Sequence, residues 1–196
     1  MKKYLSIIAV AAMATYATSA LAQGTLGFNN SSTTLVQQWT DANNSTLMNV
    51  PKNGGSVQLF YAPGGTAYNG SSLSGLIANN PGWTLGAITP IAPVAGRFNG
   101  GNITLTGIAA GANVSYAVIG WVGNFASFDA ALAGGAMAGV NATAFTMATG
   151  GVDPLVPPPS LSTSFTGLTL QPIPEPSTFA LAGLGAAALL IFRRRK

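Results

Sequence analysis

A chain of 196 residues with 8 Lys+Arg, 4 Asp+Glu, no His and no Cys is excluded from imidazole acid–base chemistry, thiol nucleophiles, disulfide staples and the common zinc sites. Its formal net charge of +4 misleads, because Lys2 and Lys3 open the chain and Arg193, Arg194, Arg195 and Lys196 close it, leaving Lys52 and Arg97 against Asp41, Asp129 and Asp153. The stretch between is close to neutral and has no basic stripe to meet a phosphate backbone, so nucleic acid is not an expected partner.

The first predicted element is a signal peptide over 1–22. Met1-Lys2-Lys3-Tyr4 is a short cationic segment, Leu5 to Ala14 an apolar run, and Ala20-Leu21-Ala22 a small-residue cleavage site that would leave Gln23 as the mature N-terminus. Its expected partners are the secretion translocon and signal peptidase. The apolar run is too short for a comfortable membrane span.

From 23 to 170 the chain has room for one ordinary domain with a single core. Short apolar or alternating runs separated by Gly, Asn and Pro clusters predict strands. The clearest are Ser56–Tyr61, Asn102–Ile108 and Val114–Val122, with weaker ones at Thr25–Phe28, Trp83–Ile88, Ala144–Ala148 and Thr166–Leu170. Ile103 and Leu105 alternate with Thr104 and Thr106, which predicts a sheet with one wet face. Val114 to Val122 is apolar on both faces and predicts a central, fully covered strand that includes Trp121. Phe125, Phe128 and Leu132 stand at helical spacing after Asn124, a possible cap, and before the Gly134-Gly135 stop. The expected fold class is all-β: a single β-sandwich or jelly-roll-like domain with one short helix.

No motif in this body demands catalysis, and the expectation is a non-enzyme without metal or cofactor. Asp41 and Asp129 could form the carboxylate pair of a glycoside hydrolase only if the fold joined them. Calcium would suit the three aspartates chemically, but no Asp-x-Asp-x-Asp cluster is present. Trp39, among Gln37, Gln38, Asn43 and Asn44, and Trp83 are the candidates for sugar contact, because an aromatic face packs on the apolar face of a pyranose. Asn-x-Ser/Thr triplets at Asn44, Asn69, Asn102, Asn113 and Asn141 have the form of glycan acceptors, and an Asn-rich chain also produces them by composition.

The last element runs over 171–196. Pro172-Ile173-Pro174-Glu175-Pro176 breaks any upstream helix, an uncharged stretch reaches Phe192, and Arg193, Arg194, Arg195 and Lys196 follow. A transmembrane helix over about 176–192 is expected, slightly short for the bilayer and compensated by local thinning and snorkelling of its terminal cations. Four cations beyond the span hold that end in the cytoplasm, with the body outside and membrane lipid as a partner.

Those ordered features resemble the PEP-CTERM sorting signal of Gram-negative bacteria, also known as an ice-binding-protein C-terminal domain. The resemblance implies that Pro174, Glu175 and Pro176 form the motif processed by exosortase, an integral-membrane enzyme, and that the arginines form the membrane stop. It further implies a surface or extracellular-matrix protein of a biofilm-forming cell, structural or adhesive, with exopolysaccharide as an associate. The alternatives are a lectin-like carbohydrate-binding module and, less well supported, a glycoside hydrolase.

Overall fold

A computed structural model describes residues 23–40, 45–152 and 155–173. Ala20 and Ala22 of the signal peptide, Asp41, Asp153, the Pro174, Glu175 and Pro176 motif, the expected membrane helix and Arg193, Arg194, Arg195 and Lys196 lie outside the described residues.

In chain order the strands are β1 (Gln23–Asn29), β2 (Val36–Trp39), β3 (Leu47–Asn49), β4 (Gly55–Pro63), β5 (Thr84–Pro90), β6 (Asn99–Ala109), β7 (Asn113–Val122), β8 (Ala138–Val140), β9 (Phe145–Ala148), β10 (Gly151–Val152), β11 (Leu155–Val156) and β12 (Leu168–Leu170). Helix α1 (Phe128–Ala133) and a short 3-10 turn at Leu161–Thr163 complete the described elements, and the fold is all-β in class.

The two strands with the strongest sequence signals form the centre. β4 and β7 pair antiparallel along their whole length, from Gly55 opposite Val122 to Pro63 opposite Val114. β5 flanks β4, and the far side of β7 is shared by β9 along residues 113–116 and β8 along 119–121. Because successive side chains of a strand point to opposite faces, this pair feeds two cores. Val57, Leu59, Tyr61, Val114, Tyr116 and Val118 enter the first. Phe60, Ala62, Ala117, Ile119 and Trp121 enter the second. The prediction of a strand covered on both faces is met.

Smaller sheets cover the first core. β1 and β6 pair antiparallel and supply Leu26, Phe28, Leu105 and Ile108. Their register slips between Gln23 and Gly24, where Gly107 at φ 82° lets β6 bulge, so Leu105 and Ile108 both point inward. Thr104 and Thr106 are exposed, giving the wet face that the alternation predicts. β12 pairs parallel with β2, which pairs antiparallel with β3, and Val36, Leu168 and Leu170 pack into the same core. Gly120 makes room for this packing: a Cβ there would lie 2.7 Å from Leu168 Cδ2.

The second core is closed by α1 and by the segment between β4 and β5, through Leu73, Leu76 and Tyr68. The helix begins later than the Asn124 cap suggests. Ser127 is the cap, its hydroxyl accepting from Ala130 N at 3.2 Å. The Phe125 carbonyl accepts from Trp121 Nε1 at 3.2 Å, which fixes Phe125 as part of the approach to the helix. Gly134 ends the helix as expected.

Three buried asparagines hold the loops. Asn30 donates to Thr34 O and Gly96 O and accepts from Phe98 N, while Asn80 donates to Leu76 O and Asn69 O and accepts from Asn69 N. Asn141 accepts from Val118 N at 3.0 Å and donates to Gly167 O at 2.9 Å. Each carboxamide satisfies backbone groups that burial would otherwise leave unpaired.

Candidate functional site

β2 places its residues on opposite faces in turn. Val36 is fully buried and the Gln38 side-chain oxygen is shielded from solvent, which puts Gln37 and Trp39 on the other face. Directly opposed residues of paired strands project to the same side. Asn49 therefore stands beside Gln37, which donates to it at 3.3 Å, and Leu47 stands beside Trp39. Across the parallel ladder Thr169 is level with Gln37. The outward face of β12, β2 and β3 thus carries a half-buried Trp39 among Leu47, Gln37, Asn49 and Thr169, without a charged side chain among the described residues.

This face continues toward β8. Gln171 N donates to Ala138 O at 2.9 Å and Ala138 N to Gln171 O at 3.0 Å, joining the end of β12 to β8. Gly139 makes the approach possible, since a Cβ there would collide with the Thr169 carbonyl. Where the cover of the second core ends, a cleft of about 530 Å³ opens, lined among others by Ser72, Leu73, Ser74, Val140, Thr169 and Gln171. Its volume lies in the range of ligand pockets.

Trp83 is a correction to the sequence reading. It is 7% exposed, packed against Phe60 and Tyr68 at ring separations of 5.0 and 4.6 Å, and its Nε1 donates to Ala67 O at 2.8 Å. A ring so covered offers no free face to a sugar. Trp121 is fully buried, as its strand predicts. Asp129 is exposed in the first turn of α1, does not line the cleft, and is the one acid among the described residues, so its pairing with Asp41 is not seen there. Among the described residues no group of acids suited to a metal ion is found.

The Asn-x-Ser/Thr triplets separate by environment. Asn69, Asn102 and Asn113 are exposed, while Asn141 is buried with its carboxamide engaged on both sides. Two tyrosine hydroxyls are also withdrawn from water, Tyr116 in a buried side chain and Tyr68 in a half-buried one. Burial lifts the Tyr68 hydroxyl above its ordinary range, and it donates to Asn141 O at 2.7 Å. Burial pushes Tyr116 up to about 12, partly offset by its hydrogen bond with Ser164 at 2.7 Å.

Gln37 stands out in the sequence only as a polar neighbour of Trp39, and Asn49, Thr169 and Gln171 were not singled out by their sequence context. Val36-Gln37-Gln38-Trp39 alternates over only four residues, and its two amides mask the pattern. The cleft joins segments around residues 70, 140 and 170, which no local signal connects.

No curated protein and no solved structure matches the chain. A family model for the PEP-CTERM protein-sorting motif matches residues 172–196, beginning directly after Gln171. Among the described residues no helix is long and apolar enough to cross a membrane. The chain therefore carries a PEP-CTERM protein-sorting motif at its C-terminal end, which implies an exported protein processed by exosortase.

Proposed function

We propose that the body is a non-enzymatic adhesive module of the cell surface, delivered by its two terminal signals and associating with neutral exopolysaccharide through the outward face of β12, β2 and β3. The observation that carries this reading is Trp39, half-buried on an uncharged strand face beside Gln37 and Asn49. Trp39 would stack on the apolar face of a pyranose, and the amides would exchange hydrogen bonds with its hydroxyls. An uncharged face avoids desolvating an ion against a neutral glycan.

The reading favours adhesion over hydrolysis, because Asp129 stands apart from the Trp39 face and the cleft. The membrane helix, the processing site at Pro174, Glu175 and Pro176, and the cytoplasmic stop from Arg193 to Lys196 belong to the same proposal. The test is retention of the exported protein, recovered from producing cells, in gels containing that cell's own exopolysaccharide. Retardation lost in Trp39→Ala, with an unchanged melting curve, supports the reading. Equal mobility of wild type with and without polysaccharide refutes it.

A further inference from the structure

We propose that the cleft beside β8 is a second sugar subsite continuous with Trp39, so that the site grips an internal stretch of a linear neutral glycan rather than one terminal sugar. This rests on the reading of Trp39 given above. The register supplies the continuity. Leu170 is level with Gln38 in the parallel ladder, so Gln171 comes level with Trp39, one strand spacing of about 4.8 Å away. Gln171 is opposite Ala138, whose side chain belongs to the second core, so Gln171 projects on that same side and into the cleft lining. From β3 through β2 and β12 to β8 there are three strand spacings, about 14 Å, enough for a few linked pyranose rings.

The chemistry of the lining points the same way. Ser72, Ser74, Thr169 and Gln171 bring hydroxyl and amide groups, Leu73 and Val140 bring apolar surface, and among the described residues no charged side chain takes part. The Thr169 hydroxyl and the Gln171 carboxamide have no hydrogen-bond partner among the described residues, so both are available to a ligand. Apolar patches with a few convergent neutral donors and acceptors suit a ring that has C–H faces and equatorial hydroxyls. Leu73 and Val140 pack on the second core and also line the cleft, so the cleft lies at the edge of that core beside β12.

The experiment titrates the exported protein, recovered from producing cells, with neutral linear β-linked gluco-oligosaccharides of two to six units, comparing wild type with Trp39→Ala, Ala142→Trp and Gln171→Leu. Ala142 is exposed on the cleft rim, so its enlargement fills the cleft without entering a core. In wild type, affinity should rise with oligomer length, on the order of tenfold from the shortest to the longest (~1.4 kcal/mol). Ala142→Trp and Gln171→Leu should flatten that rise while retaining the binding of the shortest oligomer. If both cleft variants keep the full rise and Trp39→Ala loses binding, the cleft proposal falls and the Trp39 reading stands. If Trp39→Ala binds as wild type, the continuity proposed here is overturned together with that reading. Wild-type protein that binds every oligomer equally overturns the extended site, and wild-type protein that binds none overturns both.

Discussion

Gln171 and Ala138 exchange both of their backbone hydrogen bonds, at 2.9 and 3.0 Å, and the sorting motif begins at the very next residue, Pro172. The last strand of the body and the first residues of the sorting signal are thus adjacent, with Ile173 still packed on the second core.

A body ending after Ile173 should melt at the same temperature as the full exported chain, because every described strand is retained. One ending at Gly167 loses the buried Leu168 and Leu170 and should be destabilised by several kcal/mol, enough to leave it largely unfolded. Thermal unfolding followed by circular dichroism separates the two. In cells, Glu175→Ala should leave the uncut chain in the membrane fraction, whereas wild type should yield a shorter mature species starting at Gln23 by intact mass.

The two tryptophans proposed for sugar contact should behave oppositely. Trp83→Ala removes a ring packed between Phe60 and Tyr68 and should cost about 3–5 kcal/mol in denaturant unfolding. Trp39→Ala should change stability by under about 1 kcal/mol and show itself in polysaccharide retention. Equal destabilisation by both would place Trp39 in a core.

Gln38 keeps its side-chain oxygen buried without a partner among the described residues, between the Leu170 and Met48 strands. Gln38→Leu should raise stability by about 1 kcal/mol, since it removes an unmet acceptor and adds apolar packing beside Leu168 and Leu170. A lower denaturation midpoint in the variant would mean that the carboxamide is satisfied.

Asn141→Ala leaves Val118 N–H and Gly167 C=O unpaired. A loss of about 2–4 kcal/mol is expected, two unmet backbone groups at the usual penalty. The same engagement predicts that Asn141 carries no glycan in the folded protein, which peptide mass mapping would check.

Alkaline stability should follow Tyr116 and Tyr68. Tyr116 ionises near 10 in the unfolded chain and at about 12 in the folded one, so above the unfolded value the unfolded state binds fewer protons. The stabilisation is full below pH 10 and is lost as pH rises through about 12, with Tyr68 acting in the same direction. Tyr116→Phe should flatten the fall in melting temperature above pH 10. An unchanged slope would show that Tyr116 titrates in the folded state as it does in the unfolded chain.

Long, uninterrupted patterns made β4, β6 and β7 legible, since a run of nine or more residues establishes its own periodicity. Short strands such as β2, β3 and β8 carry too few residues for a pattern, and their existence depends on partners far along the chain, as β2 depends on β12. The helix was visible in Phe128 and Leu132, while its start was decided by the Trp121 indole, which holds the Phe125 carbonyl.

By itself, the amino-acid sequence determined the near-neutral body, the absence of His and Cys, the two-faced central strand and the terminal sorting motif, because composition and local spacing are properties of contiguous residues. Tertiary structure alone decided that Trp83 belongs to a core while Trp39 is half-buried on the face of β2 opposite Val36, that Asn141 is a buried staple, and that Thr169 and Gln171 meet Ser72 and Ser74 across a cleft. Those outcomes depend on which distant strands pair and in what register, and a shift of one residue would turn every side chain of β2 to the opposite face.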